Sequence, residues 1–84
     1  MKKFIYFSAE WCGPCKMLSP IMSEISSKGM PVEKVDVDFN REFALRYGVR
    51  NIPTVILVNG DNKELKRFVG ANPANVYENA FKSN

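Results

Sequence analysis

Eighty-four residues with 45% hydrophobic, 12% aromatic and 25% charged side chains predict one small globular domain spanning residues 1–84, not a disordered chain. The net charge of +3 comes from cations scattered along the chain without interleaved stacking aromatics, which argues against a nucleic-acid partner; no apolar run approaches the ~18 residues that span a bilayer. Two cysteines are too few for a disulfide scaffold, and the absence of histidine removes imidazole metal ligands and histidine acid–base catalysis.

Phe4 to Phe7 is a continuous apolar run, rich in aromatic and β-branched residues, and predicts a strand buried on both faces. Lys2-Lys3 before it faintly resembles the start of a signal peptide. The apolar stretch ends at Ser8, however, well short of a hydrophobic region of about 7–15 residues, so a cytoplasmic protein is expected. A helix is predicted from about Cys12 to Lys28, with Met17, Leu18, Ile21, Met22 and Ile25 forming one apolar stripe. Pro20 should kink it, and Gly29 ends it at a position suited to the left-handed conformation.

Val32 to Val37 reads as a second strand with Val35 and Val37 on one face. Asp38 or Asn40 is placed to cap a short helix carrying Phe43, Ala44 and Tyr47, which Gly48 terminates. Thr54 to Val58 is another continuous apolar strand. Asn59-Gly60 signals a hairpin, returning the strand Glu64–Val69 antiparallel. Asn72 as cap and Pro73 at the first helical position open a last helix that buries Val76, Tyr77, Ala80 and Phe81. The order βαβαββα implies an α/β fold: a parallel pair joined by a right-handed crossover, then an antiparallel hairpin. A four-stranded mixed sheet with helices on both faces is expected.

The unusual chemistry rests on Cys12 and Cys15, between a buried strand and the first turn of a helix. Residues three apart on a helix share a face, within disulfide reach. The free N–H groups and positive dipole end at that helix start favour a thiolate at Cys12, and the thiolate is the nucleophile. Pro14 suits the first turn, and Gly13 leaves room for a partner chain. The spacing alone is also compatible with a packed reduced pair or an inert local disulfide. A tetrahedral metal site usually needs four Cys or His ligands, and the chain offers two, so no metal is expected.

Trp11-Cys12-Gly13-Pro14-Cys15-Lys16 at a strand-to-helix junction resembles the active site of the thioredoxin family. Further matches occur in the family's order along nearly the whole chain. Tyr47 to Thr54 resembles the segment around the family's cis-proline, Val69-Gly70-Ala71 resembles the glycine before its last helix, and Pro20 matches the proline of the active-site helix. The resemblance implies a minimal thioredoxin-like fold. In that reading Cys12 attacks, Cys15 is the buried resolving residue, and the two form the redox disulfide. Trp11 would shape the contact surface and Pro53 would be cis and face the dithiol. Backbone groups around Ile52 would pair with an extended client segment, and Gly70 would let the client backbone approach. Lys16 and Lys34 would support the site.

The sequence departs from the family in two places. The usual thioredoxin begins with an additional strand and helix, so a shortened molecule nearer glutaredoxin size is expected. The strand at Val32–Val37 then lies at a sheet edge, guarded by Glu33, Lys34 and Asp36. Where the family carries a buried acid six residues before the first cysteine, this chain has Tyr6, although Lys34 matches the lysine that accompanies that acid. Slower deprotonation of Cys15 is expected, through water or a nearby carboxylate.

The function implied is a monomeric protein-disulfide reductase acting on disulfide-containing client proteins, with no bound organic cofactor. A thioredoxin reductase, or glutathione, would recharge it. Two other roles compete: a glutaredoxin-like protein coupled to glutathione, and a docking module in which the dithiol is incidental.

Overall fold

Alternation along the first strand decides the whole architecture. In β1 (Lys3–Ser8) the side chains of Phe4 and Tyr6 point to one face and those of Ile5 and Phe7 to the other, and all four are fully buried. A strand that is apolar on both faces needs cover on both. The computed structural model, which describes residues 1–84, supplies it with three helices.

After β1 come α1 (Gly13–Ser27), β2 (Val32–Asp36), α2 (Arg41–Arg46), β3 (Thr54–Val58), β4 (Glu64–Val69) and α3 (Ala74–Ser83). The sheet order is β2-β1-β3-β4. β1 pairs parallel with β2 and antiparallel with β3, which pairs antiparallel with β4. This is the mixed four-stranded sheet expected from the chain order, with β2 at one edge.

On one face Phe4, Tyr6, Val55, Leu57 and Phe68 meet Leu18, Met22 and Ile25 of α1 and Tyr77 and Ala80 of α3. Tyr77 sets its ring edge against Phe68, centroids 4.9 Å apart, and against Phe4 at 6.0 Å. Its hydroxyl accepts the Asn72 N–H at 3.0 Å, so its polar end is satisfied. On the other face Ile5, Phe7, Val35, Ile56 and Val58 meet Ala44 of α2, with Phe43, Tyr47, Val49 and Ile52 half-buried against them.

Cys12 is the N-cap of α1, and Gly29, at φ +89°, follows the Lys28 C-cap as expected of a left-handed terminator. Pro20 lacks the N–H that would reach the Lys16 carbonyl, yet the helix continues to Ser27. Lys28 ties α1 to α3, its ammonium 3.1 Å from Glu24 and 2.9 Å from Glu78. Hydrogen bonding to Glu78, then to Glu24, holds the Lys28 pKa above its ordinary value.

Three sequence expectations are corrected. Met17 is not in the apolar stripe of α1: it is 75% exposed, because the turn holding Leu18, Met22 and Ile25 against the sheet rotates residue 17 outward. The last helix starts one residue late, with Pro73 as N-cap and Asn72 outside it, where the Asn72 N–H is taken by Tyr77. Neither Asp38 nor Asn40 caps α2 through its side chain. Asn40 is the N-cap residue, but its Nδ2 donates to the Asp36 carbonyl. The Asn59-Gly60 hairpin returns β4 antiparallel over Glu64–Val69 as expected; the left-handed residue of its 59–63 loop is Asn62 at φ 61°, and the Asn59 Oδ1 organises the loop by accepting the N–H groups of Asp61 and Lys63.

Candidate active site

The loop from β1 to α1 brings Cys12 and Cys15 together. The Cys12 N–H donates to the Ala9 carbonyl at 3.2 Å, which closes the turn and presents Cys12 as the cap of α1. Cys12 and Cys15 are joined by a disulfide, with Cα atoms 5.3 Å apart. The Cys12 Sγ accepts the Cys15 N–H at 3.2 Å, and the Lys16 N–H reaches the Cys12 carbonyl. The sulfur therefore sits where unsatisfied N–H groups and the helix dipole favour negative charge, the condition for a stabilised thiolate once the bridge is reduced.

Cys12 is 4% exposed and Cys15 2% as whole residues. They pack with Ala9, with Val37 and Ile52 half-buried against them. Ile52 packs its side chain against the dithiol, and Val37, from the loop after β2, is a second neighbour. Its signal was the Val35/Val37 alternation, which carries the apolar face past the strand end.

Around this apolar patch the surface is open. Gly13, Pro14 and Lys16 are exposed. Trp11 is 69% exposed, and its indole Nε1 donates to the Asp38 carboxylate at 2.8 Å, which fixes a large apolar ring in solvent beside the cysteines. Asp38 is a contributor that the sequence did not mark, since nothing in the linear order pairs position 38 with position 11.

Pro53 is buried, and the Ile52–Pro53 peptide bond is cis, as expected. Its carbonyl accepts the Gly70 N–H at 2.8 Å, so the 53 and 70 turns are held together. Gly70 has φ +88°, a conformation that disfavours any side chain, and the place a Cβ would occupy faces open space.

On the other side of Cys15 the parallel register sets the chemistry. Tyr6 lies opposite Lys34 and Ser8 opposite Asp36. Paired residues share a face, so Lys34 and Asp36 stand on the α1 side of the sheet. They line an open cleft of about 410 Å³ together with Ser8, Ala9, Glu10, Cys15, Lys16 and Ser19. Tyr6, standing where the resemblance expects an acid, is fully buried. Its hydroxyl donates to the Cys15 carbonyl at 2.7 Å, and the Ser19 hydroxyl donates to the same carbonyl at 3.1 Å. The Lys34 ammonium stands 5.8 Å from the centroid of the Tyr6 ring.

Comparison with known proteins agrees with this geometry. The protein-family model Thioredoxin matches residues 2–83. A thioredoxin of Rickettsia felis is 52% identical over 64 residues, covering 71% of this chain and 61% of its own. A bifunctional thioredoxin reductase/thioredoxin of Mycobacterium leprae is 48% identical over 68 residues, covering 77% of this chain and 15% of its own. Among solved structures, a point-mutant thioredoxin from Halobacterium salinarum superposes with a TM-score of 0.90 at 34% identity, over 98% of this chain and 73% of that one. Fasciola hepatica thioredoxin gives 0.86 at 34%, over 99% and 81%. The chain thus spans about 61% of the length of the Rickettsia thioredoxin.

Proposed function

The chain belongs to the thioredoxin family, and from that premise we propose that it is a thiol–disulfide oxidoreductase that reduces disulfides in client proteins, acting as a single-domain monomer. One observation carries this reading: the Cys12 sulfur caps α1, accepts the Cys15 N–H at 3.2 Å and is bridged to Cys15. In the reduced protein that environment favours the Cys12 thiolate. It attacks one sulfur of a client disulfide, and the other client sulfur leaves as a thiolate. Cys15, deprotonated, then attacks the Cys12 sulfur. The Cys12–Cys15 bond forms, the Cys12–client bond breaks, and the client leaves reduced by two electrons.

Trp11, Ile52, Pro53 and Gly70 form the client-contact rim in this reading. The exposed indole and the half-buried Ile52 supply apolar contact, and the open space over Gly70 admits an extended backbone. Lys16 and Lys34 supply positive charge near a site that develops thiolates. We assign recharging to a thioredoxin reductase in the cytoplasm. In support of that choice over glutathione, the Mycobacterium leprae relative carries reductase and thioredoxin in one chain.

The test is reduction of insulin disulfides by the dithiothreitol-charged protein, followed by turbidity. The wild type should accelerate precipitation and Cys12→Ser should abolish the acceleration. A Cys12→Ser protein as active as the wild type would leave only the docking-module reading. Recharging is tested by supplying NADPH with thioredoxin reductase or with glutathione and glutathione reductase. Faster turnover with glutathione would overturn the assignment of the donor.

A further inference from the structure

The proposed cycle needs a proton acceptor for Cys15, because only its thiolate can attack the mixed disulfide. Cys15 is buried in a partly apolar cluster, which by itself disfavours its charged form. The Tyr6 and Ser19 hydroxyls beside Cys15 are committed elsewhere: both donate to the Cys15 carbonyl. The cleft beside Cys15 is therefore the route by which a proton can leave.

Every element around that cleft contributes a polar or charged group. They are Ser8 at the end of β1, Glu10 in the following loop, Lys16 and Ser19 on α1, and Lys34 and Asp36 on β2. Only Glu10 and Asp36 can accept a proton as carboxylates. Glu10 is exposed on the loop. Asp36 is half-buried at the end of β2, where one carboxylate oxygen accepts the Asp38 N–H at 2.9 Å and holds the side chain in place. Its second oxygen is left for solvent. A cleft of about 410 Å³ has room for several water molecules at roughly 30 Å³ each.

We propose that Asp36 is the proton acceptor for Cys15, working through water in this cleft. The inference rests on the thiol–disulfide reading above. In the mixed disulfide the Cys15 proton passes by water to the Asp36 carboxylate as the Cys15 sulfur bonds to the Cys12 sulfur. The departing client thiolate then takes a proton from Asp36 through the same water. Lys34, which lines the same cleft, favours the transient Cys15 thiolate by its positive charge. Asp36 acts through solvent and is a positioning residue rather than one that touches the reacting atoms.

The sign of one substitution separates this role from a passive one. A bystander carboxylate near Cys15 opposes thiolate formation, so its removal would speed the second step. A proton acceptor does the opposite. Asp36→Asn keeps an oxygen to accept the Asp38 N–H, so it tests the charge with the turn retained. The measurement mixes reduced protein with excess glutathione disulfide and quenches in acid. Mass spectrometry then separates reduced, glutathione-bound and bridged protein over time and pH.

The expected result is a second step slowed at least about 10-fold at neutral pH in Asp36→Asn. That lies below the ~10²–10⁴ of a direct general base because water intervenes. The glutathione-bound form should accumulate, the first step should be unchanged, and Asp36→Glu should recover most of the rate. Glu10→Gln should behave as wild type. An unchanged or faster second step in Asp36→Asn, with wild-type protein proceeding normally to the bridge, overturns the proposal alone. Wild-type protein that forms neither the mixed disulfide nor the bridge overturns the thiol–disulfide reading and the proposal with it.

Discussion

The two faces of the sheet are built on different principles. On the α1/α3 face two helices of 15 and 10 residues share a cluster of eleven buried residues with the sheet, with Tyr77 wedged between Phe4 and Phe68. On the other face a single six-residue helix contributes Ala44 to a cluster of six buried residues, and much of the contact comes from half-buried residues. There Phe43, Tyr47 and Phe7 make a mutual aromatic cluster with centroids 5.3–6.0 Å apart. Arg67 reaches from β4 to donate to the Tyr47 and Gly48 carbonyls at the end of α2. A helix that short cannot hold itself in water, so α2 exists because its apolar side packs on the sheet and Arg67 holds its C-terminal end. The active helix belongs to the robust face, which keeps Cys12 and Cys15 on a rigid base; the half-buried Ile52, also part of the thin face, reaches the dithiol from the opposite side.

The largest expected effect is on the robust face. Tyr77→Ala should cost about 3–5 kcal/mol in urea denaturation, from a cavity between two rings and a lost acceptor for Asn72. On the thin face Phe43→Ala should cost only about 1–2 kcal/mol, since the ring is half-buried. Equal losses would erase the contrast. Hydrogen exchange sharpens it: the amides of α2 should exchange well before those of α1 in native conditions.

Smaller effects probe single polar groups. Tyr6→Phe removes a hydroxyl but leaves Ser19 on the Cys15 carbonyl, so about 1 kcal/mol is expected. It is a cleaner probe than Tyr6→Asp, which would bury a carboxylate in the core. The smallest effect belongs to Glu64 and Arg67. The hydrogen bond from Arg67 holds the Glu64 carboxyl below its ordinary pKa. Its contribution is therefore present above the ordinary glutamate pKa and is lost as pH falls through the lowered one. The pair is largely solvent-exposed, so well under about 1 kcal/mol is expected. A Glu64→Gln protein should show a slightly flatter loss of stability in acid than the wild type, and identical acid titrations would remove the pair from the account.

Much of this was legible in linear order. The runs Phe4–Phe7 and Thr54–Val58, the glycine after α1 and the cysteine spacing carry local signals, and the structure reproduces the elements they predicted. The points that differ concern rotation and competition. Met17 satisfies a helical spacing but lies on the wrong side of the stripe. Asn72 is a good cap whose N–H another residue takes.

What the sequence determined by itself is what short-range physics decides: element types and order, the two-faced β1, and a cysteine at a helix start where N–H groups favour a thiolate. What only the tertiary structure decided is which distant residues share the space around that helix. Asp38 reaches the Trp11 indole at 2.8 Å, Tyr6 reaches the Cys15 carbonyl, and Asp36 lines the cleft beside Cys15. The physical reason is that β2 meets β1 in a parallel register across a crossover. The Val35/Val37 alternation puts Lys34 and Asp36 together on the other face of β2, but which side of the sheet that face takes is settled only by the burial of Val35 against α2, and a one-residue slip of the register would reverse it.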